Sequence, residues 1–126
     1  MNPIFHFTFE NLEKQLLAAL DAGYQFTTCA GYVLKKKEAQ IPEKLIINRV
    51  DIDFSIKKTE RLGLIFRKLN IPATFFLRLH APEYNPFSFE NYRILKQLVA
   101  DGHEIGYHSE IVNQVIRLNY IYNLSV

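Results

Sequence analysis

Between Leu45 and His108 the chain alternates strand-length apolar runs with helix-periodic stretches, and this alternation constrains the fold most. Leu45–Asp53, Ala73–Leu79 and His103–His108 read as strands. Between them, Ile56–Leu69 and Phe89–Ala100 repeat apolar residues at helical spacing. Ser55 and Ser88 stand where N-caps belong, and Asn70 and Gly102 stand where helices stop. Strand–helix–strand–helix–strand implies an α/β protein, its parallel strands joined by right-handed crossovers in a sheet or a barrel.

Upstream, Asn11–Ala22 is expected to be helical, with Phe9, Leu12, Leu16, Leu17 and Leu20 on one stripe. Asn11 is the expected N-cap and Gly23 the expected stop. A short strand, Tyr24–Thr28, and a short helix, Ala30–Glu38, should follow, with a loop at Pro42. The 126 residues allow one domain, 1–126, with the chemistry concentrated in 45–110 and an apolar tail at 111–126.

The 48% hydrophobic and 22% charged composition is that of an ordinary globular protein, and a net charge of +2 points to neither nucleic acid nor a membrane surface. Lys35-Lys36-Lys37, followed by Glu38, reads as a solvated face. The lone Cys29 cannot form an internal disulfide and is expected to act as a small hydrophobe. Met1–Glu10 lacks the basic and apolar regions of a signal peptide, and no apolar stretch has the length of a membrane span. A cytoplasmic protein is the expectation.

Polar chemistry gathers at two strand ends. Residues i and i+2 of a strand share a face, so Asp51 projects with Asp53, and His108 with Glu110. Carboxylates converging with an imidazole suit a metal site that activates water. Asp51 and Asp53 are equally suited to capping the helix that follows. Arg49 and Arg78 lie along strand faces near the carboxylates, where each can orient a carboxylate, hold an anionic substrate group or form a plain salt bridge. His80, Tyr84 and Asn85, on the loop after the second strand, are candidate substrate contacts. His103, at a strand start, is expected to be structural, and Phe75, Phe76, Phe87 and Phe89 are expected in the core.

Arg49-Val50-Asp51-Ile52-Asp53-Phe54-Ser55, Ala73-Thr74-Phe75-Phe76-Leu77-Arg78 and Gly102-His103-Glu104-Ile105-Gly106-Tyr107-His108-Ser109-Glu110, in that order, resemble the polysaccharide deacetylase family. This family carries the NodB homology domain and belongs to the carbohydrate esterases. The resemblance is to a divergent branch and covers roughly residues 9–110. It implies a (β/α) barrel, a divalent metal with zinc first in line, and hydrolysis of N- or O-acetyl groups on a carbohydrate. It implies Asp51 as the base and Asp53 as a metal ligand, although the spacing departs from the family's adjacent pair and the two roles can be exchanged. His108-Ser109 matches the start of the second motif, but Val112 stands where a second histidine is expected. Glu110 is the substitute ligand on the same face as His108.

A full barrel takes about 200 residues or more. The expectation is therefore a partial (β/α) barrel with an atypical tail, without the family's later catalytic motifs. Two readings follow: a metal-dependent carbohydrate deacetylase or related amide hydrolase seen in part, or a catalytically inactive remnant serving as an interaction module. Open sheet edges in the second reading imply a homodimer or association with another chain.

Overall fold

The computed structural model describes residues 6–109; the tail 111–126 and Glu110 lie outside the described residues. Helix α1 spans Phe9–Asp21. Its N-cap is Thr8 rather than Asn11: the Thr8 hydroxyl accepts from the Asn11 N–H at 3.1 Å. Leu16 is buried, and Leu12 and Leu20 pack beside it. Leu17, expected on the same stripe, is 41% exposed. It sits one residue, about 100°, round the helix from Leu16 and turns out of the contact. Gly23, at φ +88°, ends the helix in a conformation that a side chain would strain.

Strand β1 (Gln25–Thr27) leads into helix α2 (Cys29–Lys37), whose N-cap Thr28 accepts from the Gly31 N–H. The three lysines fill its last turn, where positive charge suits the helix dipole. The run expected as one strand, Leu45–Asp53, is two: β2 (Leu45–Ile47) and β3 (Arg49–Ile52). Strand β2 pairs with β1 in one parallel sheet. Strand β3 pairs with β4 (Thr74–Leu77), and β4 with β5 (Glu104–Tyr107), in a second parallel sheet. The division falls at Asn48. Its N–H donates to the Thr27 carbonyl and its own carbonyl accepts from the Thr74 N–H, both at 2.9 Å. The ladder thus changes partner within one residue. Among the described residues the strands form no closed barrel.

Helices α3 (Thr59–Leu69) and α4 (Phe89–Ala100) return the chain between the parallel strands. Helix α3 starts at Thr59 instead of Ile56, with no side-chain N-cap. Ile56 is drawn into the core at 1% exposure, and Ser55 only closes the preceding turn, accepting from the Lys58 N–H at 3.4 Å. Asn70 ends α3 in the left-handed conformation expected of it, at φ 55° and ψ 43°. Helix α4 has the expected bounds, and its cap Ser88 accepts from the Asn91 N–H. The two helices meet at Gly63, where a Cβ would lie 2.8 Å from a Leu98 methyl.

The core is built from Ile52, Phe75 and Leu77 of the sheet and Ile65, Phe66, Ile94 and Leu98 of the helices. Phe75 belongs to it, but Phe87 and Phe89 do not: they are 75% and 96% exposed beside the start of α4, where no described residue covers them. His103 is buried, its ring centroid 5.3 Å from that of Phe75 and 5.9 Å from that of Phe66. Its Nδ1 accepts from the Ala73 N–H at 3.1 Å, which makes it a core residue, as its place in the sequence implies. Burial lowers its pKa, with Asp101 opposing weakly. No described helix is long and apolar enough to cross a membrane.

Candidate functional site

Parallel register sorts the β3–β4–β5 sheet into two faces. Val50, Phe75 and Ile105 pair across it and face the helices, and so do Ile52 and Leu77. Arg49, Thr74 and Glu104 make another row, and Asp51, Phe76 and Gly106 the next. This second face is mostly polar, with Thr74 buried under the start of α2 and Asp51 exposed. Asp53 and His108 extend it beyond the C-terminal ends of β3 and β5, where parallel α/β sheets gather their chemistry. The His108 N–H continues the ladder to the Leu77 carbonyl at 2.7 Å, which fixes where its side chain leaves the backbone.

Three sequence-expected residues converge there. His108 Nε2 lies 3.7 Å from Asp51 Oδ2 and 3.7 Å from Asp53 Oδ1. Neither contact is short enough for a hydrogen bond. Two ligands of one zinc-like ion, at bonds of about 2.0–2.2 Å, stand about 3.3 Å apart, so the donor types are those of a metal site but the spacing here is wider. The set is incomplete: among the described residues no three His, Cys, Asp or Glu side chains are gathered to hold an ion. Asp51 turns its other oxygen to Arg49, whose Nε donates to Oδ1 at 2.8 Å. The pair raises the Arg49 pKa, chiefly through that hydrogen bond. Asp53 and His108 remain as the two side chains whose chemistry fits an ion, while Glu110 lies outside the described residues.

Arg49 is held from below as well. Its guanidinium carbon is 4.4 Å from the centre of the Phe76 ring. Phe76 lies across Gly106, where a Cβ would meet the ring at 2.7 Å. Sequence reasoning placed Phe76 in the core and gave Gly106 no role. A glycine inside a strand was the available signal, since it marks a close approach.

The remaining candidates divide. Arg78 donates through Nη1 to the Asp53 carbonyl and to Glu83, both at 3.0 Å. It braces the strand end that carries Asp53. The Tyr84 hydroxyl donates to the Ile52 carbonyl at 2.6 Å and accepts from the Arg78 N–H at 2.8 Å. It stitches β3 to the residue after β4, so its oxygen is engaged by backbone. Asn85 shapes the turn into α4, its Oδ1 accepting from the Phe87 N–H at 2.9 Å. His80 is exposed on the same loop.

At the opposite end of the polar face, Glu104 closes the start of α2. It accepts from the Ala30 N–H and from the Thr74 hydroxyl, which itself accepts from the Cys29 N–H. A carboxylate at a helix N-terminus is stabilising there. Cys29 is half-buried beside this group. No family model matches this chain, and neither a curated protein nor a solved structure does.

Proposed function

We propose that the Asp51–Asp53–His108 corner hydrolyses N-acyl or O-acyl groups on a carbohydrate, in a polysaccharide deacetylase-like chain whose strands form part of a (β/α) barrel. The observation carrying this reading is one imidazole nitrogen 3.7 Å from each of two carboxylates at the C-terminal ends of parallel strands. Arg49 engages one oxygen of Asp51, which leaves the other to take the proton of an attacking water. Asp53 and His108 are the residues that would hold a divalent cation, with zinc first in line. Such a cation, when bound, supplies a water of lowered pKa and a polarised acyl oxygen. Arg78 keeps Asp53 in place through its backbone carbonyl. Asp53 is half-exposed, so the leaving amine or alcohol can take its proton from solvent.

The test combines elemental analysis after zinc loading with hydrolysis of acetylated chito-oligosaccharides and acyl esters. About one ion per chain, lost in Asp53→Asn and His108→Ala, with turnover abolished in Asp51→Asn, is expected. A wild type that neither retains an ion nor releases acetate sinks the proposal.

A second reading is a non-catalytic module that pairs with a second copy of itself. It draws on exposed Phe87, Phe89, Tyr92 and Val99 beside an apolar groove of about 370 Å³ along α4 and β5. Light scattering at micromolar concentration decides it: a dimer supports this reading, and a monomer removes it.

A further inference from the structure

Among the described residues, strand β3 has a hydrogen-bonded partner on one side, β4. On its other side a cavity of about 270 Å³ opens between β3, the start of α3 and Phe9 of α1. Because no described strand closes this edge, the cavity touches residues of both sheet faces. Val50 and Leu62 come from the core side, and Asp51 and Asp53 from the polar side. Phe9 and Phe54 complete the wall, with Lys58 at its margin. Phe54 is 73% exposed, directly after Asp53. Phe9 is fixed under Arg61, whose guanidinium carbon is 4.7 Å from the ring centre.

Phe54 offers an apolar surface to a ligand directly beside the two carboxylates, and covering it would be favourable. Ligand sites combine apolar walls with a few polar groups, and this open groove offers both. An acetyl methyl would fill only a small part of it.

We propose that this cavity receives the acyl chain of the substrate, and that the chain is longer than acetyl. The inference rests on the hydrolase reading for which bond is cut, and on the cavity alone for the group it accepts. The acyl carbon would stand at Asp51 and Asp53, while the alkyl part runs round the β3 edge between Phe54, Phe9 and Leu62. Each further buried methylene is worth about fourfold in affinity.

The test is titration of the ¹⁵N-labelled full chain with N-methylacetamide and N-methylhexanamide, neutral mimics of the two acyl groups. Hexanamide should bind at least tenfold tighter and shift the amides of Val50, Phe54 and Leu62. Leu62→Trp, which fills the cavity, should remove the difference. Phe54→Ala, at an exposed position that leaves folding intact, should shrink it several-fold. Equal affinity for the two amides, or shifts confined to Tyr92 and Val99 of the other groove, overturns the inference. The hydrolase reading fails separately. Tight hexanamide binding without cleavage of any acyl ester or amide leaves the cavity as a ligand site and removes the reaction. Cleavage without chain-length preference does the reverse.

Discussion

The Arg49 guanidinium carbon lies over Phe76, 4.4 Å from the ring centre, while its Nε donates to Asp51 at 2.8 Å. The stack is possible because the next strand offers Gly106 at the paired position. Gly106→Ala would push a methyl into the ring and tilt Arg49 off Asp51. Overpacking of this kind costs about 1–3 kcal/mol, to be read by urea denaturation. The companion Phe76→Leu gives the methyl room, so the double variant Phe76→Leu/Gly106→Ala should recover part of the loss. Purely additive effects would show that the ring and the glycine are not coupled.

His103 sets an acid limb. Its lowered pKa means that the folded chain prefers the neutral ring, and Nδ1 must stay unprotonated to accept from Ala73. As pH falls below the ordinary value of 6.5, the unfolded chain takes up the proton first. The stability from this group is therefore complete above 6.5 and declines as pH drops towards the folded-state pKa. His103→Gln keeps an acceptor and removes the titration. Its denaturation midpoint should fall less between pH 7.5 and pH 5 than that of the wild type. An equal fall in both places the acid limb elsewhere.

Tyr84→Phe removes one hydroxyl that serves two backbone groups, the Ile52 carbonyl and the Arg78 N–H. Leaving part-buried polar groups unpaired costs about 1–3 kcal/mol. Hydrogen exchange should quicken at the amide of Arg78 more than at those of α4. Uniform acceleration would mean that the loop and the strands open as one unit.

Asn70 offers a local control. Its left-handed backbone costs glycine nothing and costs a residue with an ordinary Cβ about 1 kcal/mol. Asn70→Gly should match or exceed the wild-type melting temperature, and Asn70→Ala should fall below it. The reverse order would contradict the cap.

The helix from Phe89 to Ala100 with its Ser88 cap, the stop at Asn70 and the parallel order of strands were legible because each rests on local chemistry: a cap, a left-handed residue, an apolar period. The convergence of Asp51, Asp53 and His108 was legible for a related reason, since strand alternation and parallel order together fix which side chains meet. The break between Ile47 and Arg49 was not. Alternation runs through Asn48 undisturbed, and only a change of neighbouring strand, a tertiary event, divides the run. The start of α3 was misplaced because burial of Ile56 overrode the Ser55 cap. The exposure of Phe87 and Phe89 follows from what surrounds them in space, and composition carries no trace of that.

Asn48 has a mechanical consequence. One residue joins the ladder of β1 and β2 to that of the strand leading to both carboxylates. Prising β1 from β2 would pull on the Thr27 carbonyl, and the load would pass through Asn48 to Thr74 and along β3 to Asp51. The two small sheets are thereby tied through the backbone of a single residue, three positions before Asp51.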